Sequence, residues 1–112
     1  MDAVKVQQGD VISYTPASAD VEAGDVVVVG DVVAVATAHI PRHSTGSLDI
    51  AGVFRMPKAD GSATAIAAGK KVYWHPGNEV ITETTGGAKA AGHTIAAAGD
   101  DDEAVLVRLA QF

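Results

Sequence analysis

The chain has 112 residues, which is enough for one compact domain, and we predict a single domain over residues 1–112. Val and Ile far outnumber Leu and Met, a balance that favours strands, and the absence of Cys excludes disulfide frameworks and cysteine-ligated metals. With 14 acidic and 8 basic residues the net charge is −6, so the chain lacks the basic footprint of proteins that bind nucleic acid or anionic membranes.

Residues 1–15 are predicted to form an extended N-terminal arm that contains one strand. Val4 and Val6 alternate with polar residues, Gly9-Asp10 marks a turn, and a strand-forming run follows from Val11 to Thr15. The chain start lacks the pattern of an export signal, and no apolar run approaches the roughly 18 residues of a membrane span. We expect no export signal and no contact with membranes.

The clearest hairpin joins residues 26–29 to residues 32–36. Both segments are apolar runs, and Gly30-Asp31 between them is a two-residue turn of the kind that hairpins favour. Because apolar residues occupy consecutive positions, we expect both faces of these strands to be covered, by a closed barrel or by a subunit interface.

Alternating residues from Leu48 to Arg55 predict a third long strand, which stops at Pro57. Residues 62–69 have a capping residue and a terminal glycine, but they leave room for at most one short helix.

A second hairpin and a final strand are predicted in the last third of the chain. Residues 71–75 and 80–84 flank a four-residue connection that contains Pro, Gly and Asn. Residues 94–96 and 104–109 bracket an acidic turn, and the last strand is expected to close the sheet. The fold class is therefore all-β: a small barrel or sandwich of short antiparallel strands and hairpins.

The histidines and acidic residues do not predict a metal or catalytic site. His39 and His43 have a spacing that ligates zinc on a helix, but Pro41 between them makes a helix improbable. The acidic run 100–103 lacks the ligand pattern of a calcium loop. A hydrolase that uses His43 or His93 has no positioned partner that the sequence identifies. We expect no enzyme activity, no metal and no cofactor.

A series of short motifs resembles a known family. In chain order these motifs are Gly9-Asp10, Gly24-Asp25-Val26-Val27-Val28, Gly52-Val53-Phe54, Pro57-Lys58-Ala59, Ala68-Gly69, Val72-Tyr73-Trp74 and Val107-Arg108-Leu109. In this order and spacing they resemble the small capsid cement, or head decoration, proteins of tailed phages, over nearly the whole chain. The stretch from Lys89 to Thr94 departs from the pattern, because it is more polar than the apolar strand that the family usually has there.

The resemblance implies a structural protein without enzyme activity. Such a protein binds the outside of an expanded phage head, often as a homotrimer, and stabilises contacts between major capsid subunits. Its location is the outer capsid surface of the virion, after synthesis in the host cytoplasm.

Two sets of residues are candidates for these contacts: the arm and an apolar edge near Trp74. The candidates on the arm, which could add a strand to a partner, are Val4, Val6, Val11, Ile12 and Tyr14. The candidates for an oligomer or capsid interface are Phe54, Pro57, Tyr73 and Trp74.

Trp74 leaves two alternatives open, since a lone Trp beside Val anchors either a core or an interface. A different class of function also remains: a small β-barrel that recognises a carbohydrate or a peptide through an exposed surface around Tyr73 and Trp74.

Overall fold

A computed structural model of the chain describes residue 3 and residues 10–110. These residues form nine strands and no helix, which confirms the predicted all-β class. The segment 62–69, where one short helix was allowed, consists of turns and a single bridging residue, Ile66. The strands are β1 (Val11–Tyr14), β2 (Val26–Val29), β3 (Val32–Ala36), β4 (Gly46–Asp49), β5 (Gly52–Pro57), β6 (Lys71–His75), β7 (Val80–Thr82), β8 (Lys89–Thr94) and β9 (Ala104–Leu109).

The strands form two antiparallel sheets in a sandwich-like arrangement. The first sheet has the order β1-β4-β3-β2 and the second has the order β5-β9-β8-β6-β7. The two edges of the second sheet approach each other, because Lys58, directly after β5, forms a parallel bridge with Ile81 of β7. The expectation that the last strand closes the sheet is wrong: β9 lies between β5 and β8, and the edges meet through β7.

Both predicted hairpins are confirmed. In the first, Val29 pairs with Val32 across the two-residue turn. Gly30 has a φ of 62°, the positive value that a type II′ turn requires at its first central residue. In the second, β6 and β7 are joined by residues 76–79, and β7 ends at Thr82, two residues before the predicted end.

The predicted long strand from Leu48 to Arg55 is wrong. The segment forms two strands, β4 and β5, which belong to different sheets. The chain crosses between the sheets at residues 50–51, and Gly52 follows with a φ of 123°, a conformation that L side chains rarely adopt. The alternation of side chains continues through the crossing, so the pattern alone did not reveal it.

The expectation for residues 94–96 is also corrected, because β8 begins five residues earlier. It is a central strand between β6 and β9. Its small residues allow close packing: a Cβ atom added at Gly92 would lie 1.9 Å from the carbonyl oxygen of Arg108. The hydroxyl of the buried Thr94 donates a hydrogen bond to the carbonyl oxygen of Ala67 at 2.6 Å. Polar residues made the stretch look unlike a strand. Thr94 can nevertheless be buried in β8 because its hydroxyl is hydrogen-bonded within the fold.

The main core lies between the two sheets, and a second cluster covers the opposite face of β3. Val33 and Val35 of β3 belong to the main core, whereas Ala34 and Ala36 belong to the second cluster. The main core contains Val33, Val35, Met56, Ile66, Val72, Trp74, Ile81, Ala91, Ala98, Val105, Val107 and Leu109. The second cluster contains Val21, Ala34, Ala36, Ile40 and Leu48. Both faces of β3 are therefore covered, as predicted, and the cover comes from the chain itself. The same expectation is wrong for β2, an edge strand that is only half-buried and ends in Val29, which is 36% exposed.

Candidate functional site

The C-terminal part of the predicted arm belongs to the first sheet. β1 pairs with β4 and is an edge strand. Ile12 and Tyr14 are half-buried and pack against the second cluster, whereas Val11 points outward and is 39% exposed. Val4 and Val6 lie outside the described residues. The side chains of Ile12 and Tyr14 therefore serve the fold, and β1 itself lies at one edge of the first sheet.

Trp74 lies in the main core and is 5% exposed. The sequence left open whether Trp74 belongs to a core or to an interface, and the structure shows it in the core. Phe54 is half-buried against the same core, and Tyr73 lies on the opposite face of the second sheet, also half-buried. The alternative function, a sugar or peptide surface built on exposed Tyr73 and Trp74, lacks its tryptophan because the indole packs inside.

A cleft of about 460 Å³ brings together two of the interface candidates, Pro57 and Trp74. Val26–Val28 of the edge strand β2 line one side, and Pro57, Trp74 and Pro76 line the other. Pro57 is exposed at the end of β5, and only a small part of the Trp74 side chain reaches solvent. This cleft lies beside Trp74 where the two sheets meet, and the acidic residues Asp25 and Glu79 also line it.

Asp20, Glu22 and His39 form an exposed cluster whose ligand atoms lie within 4.8 Å of one another. Nδ1 of His39 is 3.1 Å from Oε2 of Glu22, and Nε2 is 3.8 Å from Oδ2 of Asp20. The carboxylates thus flank opposite nitrogens of one ring, and these polar contacts join the loop before β2 to the loop after β3. His43 is not a member of this cluster, and its Nε2 lies 3.2 Å from the carbonyl oxygen of Ala17.

The histidines also do not form a nucleophile and base with nearby serines. Within residues 10–110, no hydrogen bond joins His43 to Ser44 or Ser47. Nδ1 of His75 accepts a hydrogen bond from the main-chain N–H of Asn78 at 3.0 Å, so this ring stabilises the second hairpin turn. These contacts of His43 and His75 are structural.

Lys58, part of the Pro57-Lys58-Ala59 motif but without a predicted role, is a buried charge and is 4% exposed. Its Nζ donates to the carbonyl oxygens of Ala59 at 2.7 Å and Asp102 at 3.0 Å, and to the hydroxyl of Thr64 at 3.2 Å. Three partners match the three N–H donors of an ammonium group. A lysine at the end of a strand is usually exposed, so the residue type gave no signal of this role.

The described residues form a small all-β domain, and its candidate sites are a sheet edge and a surface cleft. Over residues 3 and 10–110, no helix has the length and apolar character needed to cross a membrane.

A family model described as phage cement protein matches residues 6–109, and the chain belongs to this family. It is therefore a structural, non-enzymatic protein of the phage capsid, with a cement role. Comparisons with curated proteins and with solved structures gave no match.

Proposed function

We propose that this protein binds the outer surface of an expanded tailed-phage head and holds neighbouring major capsid subunits together. On the shell it acts as a homotrimer. The observation that carries this proposal is the family match, which extends over residues 6–109 and includes both sheets. An all-β domain with two separate contact surfaces is suited to joining subunits.

The first contact is the N-terminal arm, continued by the outer edge of β1. An edge strand presents a row of main-chain N–H and C=O groups, to which an extended partner segment can add a strand. The alternating apolar residues Val4 and Val6 precede this edge in the chain. Main-chain hydrogen bonds would supply affinity, and the alternate side chains would supply specificity.

The second contact is the cleft beside Trp74. Its walls come from β2, β5 and β6, so it joins both sheets at one opening. Pro57 and the edge of β2 supply the accessible apolar surface, while Trp74 supports them from the core. Phe54 and Tyr73 remain candidates for contacts between copies of the chain.

Stabilisation by such a protein depends on the number of copies. Each copy contributes a modest interaction, and many copies on a closed shell act together, because local release of one subunit is opposed by its neighbours.

The test is co-sedimentation of the purified protein with undecorated, expanded heads of a phage that encodes it. We expect binding to saturate at a fixed ratio of three copies per three-fold position and the decorated heads to survive higher temperatures. A folded protein that does not bind expanded heads would contradict the proposal.

The arm is tested by replacing Val4 and Val6 with Asp. The matched control replaces Gln7 and Gln8 with Asp, which changes the net charge equally at polar positions. We expect the first variant to lose binding to heads and the control to retain it. If the Val4 and Val6 variant binds heads as tightly as the wild type does, the arm has no part in the mechanism.

A further inference from the structure

The outer face of the second sheet carries a cluster of basic side chains in an acidic protein. Strand register places Lys71 opposite His93, His93 opposite Arg108, and Arg108 opposite Val53. Residues directly opposite each other lie on the same face, so these four form one row across β6, β8, β9 and β5. At about 4.8 Å per strand, the row is roughly 14 Å wide.

A second row runs beside the first. Arg55 lies opposite Leu106, and the N–H of Ile95 donates to the carbonyl oxygen of Leu106 at 3.1 Å. Arg55 and Arg108 are therefore diagonal neighbours, at a distance within reach of long side chains. We call the two rows the basic face; its members are Val53, Arg55, Lys71, His93, Ile95, Leu106 and Arg108.

The charge of the basic face is opposite to that of the whole chain. Three of the 8 Lys and Arg residues lie on it, although the net charge of the chain is −6. None of the described strand positions that point outward from this sheet is Asp or Glu; these are residues 53, 55, 57, 71, 73, 75, 80, 82, 90, 93, 104, 106 and 108. Asp102 and Glu103, which precede β9, line one surface cleft together with Arg55 and Leu106, so acidic residues border the face at this end.

Arg55 and Arg108 are exposed, and within residues 10–110 neither side chain forms an ion pair. Like charges that face each other across strands destabilise a sheet, and within residues 10–110 no ion pair offsets the proximity of these two. Local features that oppose stability are typical of functional surfaces.

Exposed apolar side chains accompany these charges. Val53 is 52% exposed and Ile95 is 48% exposed. They are two of the four large apolar residues in the described chain that are at least 36% exposed. Protein interfaces combine an apolar centre with an enrichment in Arg relative to the rest of the surface.

We propose that the basic face binds an acidic, partly apolar surface of the capsid subunit. This inference rests on the proposed function and adds the chemistry of one partner surface to it. A protein fits better than nucleic acid, because the rest of the chain would repel a phosphate backbone and aliphatic residues would lie against it.

The experiment compares three variants of the full chain for binding to undecorated expanded heads at low salt. Arg108→Glu and Arg55→Glu reverse charges on the basic face, and Arg42→Glu makes the same charge change in an exposed loop of the first sheet. All three positions are exposed, so we expect the variants to fold, as checked by thermal unfolding. We expect each on-face reversal to weaken binding about 10-fold or more, and Arg42→Glu to change it by less than about 2-fold. The loss of binding caused by the on-face reversals should shrink in about 0.5 M NaCl, because salt at this concentration strongly screens exposed charges.

The outcomes separate this inference from the proposed function. Wild-type binding with no difference among the three variants would overturn the inference and leave the cement role standing. No wild-type binding would overturn both. A gel shift with duplex DNA that is lost in Arg108→Glu would overturn the inference in favour of nucleic acid. Salt-sensitive self-association lost in Arg108→Glu would overturn it in favour of a second copy.

Discussion

The ammonium group of Lys58 donates a hydrogen bond to the main-chain carbonyl oxygen of Asp102, 3.0 Å away and 44 residues later in the chain. The main-chain N–H of Lys58 donates to the carbonyl oxygen of Glu103 at 2.9 Å. The same ammonium also contacts Ala59 and Thr64. One residue therefore fixes the end of β5, the loop that follows it and the acidic loop before β9.

Lys58→Met keeps much of the side-chain length but removes all three donors. The carbonyl oxygens of Ala59 and Asp102 would lose a charged partner, so we expect the free energy of unfolding to fall by about 2–3 kcal/mol. Urea unfolding followed by Trp74 fluorescence measures this. Lys70→Met is the control, because Lys70 is exposed. Equal urea midpoints for the two variants would show that the Lys58 contacts do not stabilise the fold.

Gly92→Ala tests the close approach of β8 and β9. The added Cβ would lie 1.9 Å from the carbonyl oxygen of Arg108, a main-chain atom that cannot move without disturbing the sheet. We expect a loss of at least about 2–3 kcal/mol of stability. Gly86→Ala is the matched control, because a Cβ at Gly86 meets no atom within 4 Å. Its thermal midpoint should stay close to that of the wild type, and a similar loss in both variants would refute the packing argument.

Trp74→Ala tests the position of the indole in the core. Removal of this buried side chain should lower the free energy of unfolding by about 3–5 kcal/mol, because a large cavity would remain. Circular dichroism during thermal unfolding avoids dependence on the lost fluorophore. The control Val53→Ala truncates a 52% exposed side chain and should have an effect within about 0.5 kcal/mol. A stable, folded Trp74→Ala variant that fails only to bind heads would instead make Trp74 an interface residue.

The sequence predicted the elements that depend on local chemistry. The β2–β3 hairpin is specified by two apolar runs and one turn, all within residues 26–36, and the β6–β7 hairpin is specified in the same way. The break at Gly52 was missed because its cause is tertiary: β5 pairs with β9, more than 40 residues later, rather than continuing β4. The position of β8 was missed because its small residues are required by the close approach of the β9 backbone, which the local sequence does not show.

The candidate site was predicted less completely than the fold. The pattern placed Ile12 and Tyr14 on a contact arm, whereas their side chains pack against the second cluster of their own chain. The basic face could not be seen in the sequence, because Lys71, His93 and Arg108 become neighbours only through strand register. Sequence patterns specify which residues alternate, but the pairing of distant strands decides which side chains meet.

The ion pair between Lys89 and Asp31 joins β8 of the second sheet to the first hairpin turn, with 2.7 Å between Nζ and Oδ1. The hydrogen bond from Lys89, and then its charge, holds the pKa of Asp31 below its ordinary value. Because the pKa is lower in the folded chain, the stabilisation is fully present above the pKa of the unfolded chain, about 3.9, and is lost as the pH falls through the folded-state value. We expect the difference in free energy of unfolding between the wild type and Asp31→Asn to be constant at neutral pH and to shrink below about pH 4. Urea unfolding at a series of pH values measures this difference, with the exposed Asp101→Asn as control. Since Asp31 is 91% exposed, salt should reduce this difference in the free energy of unfolding at neutral pH. If the difference changes with neither pH nor salt, the ion pair does not stabilise the fold.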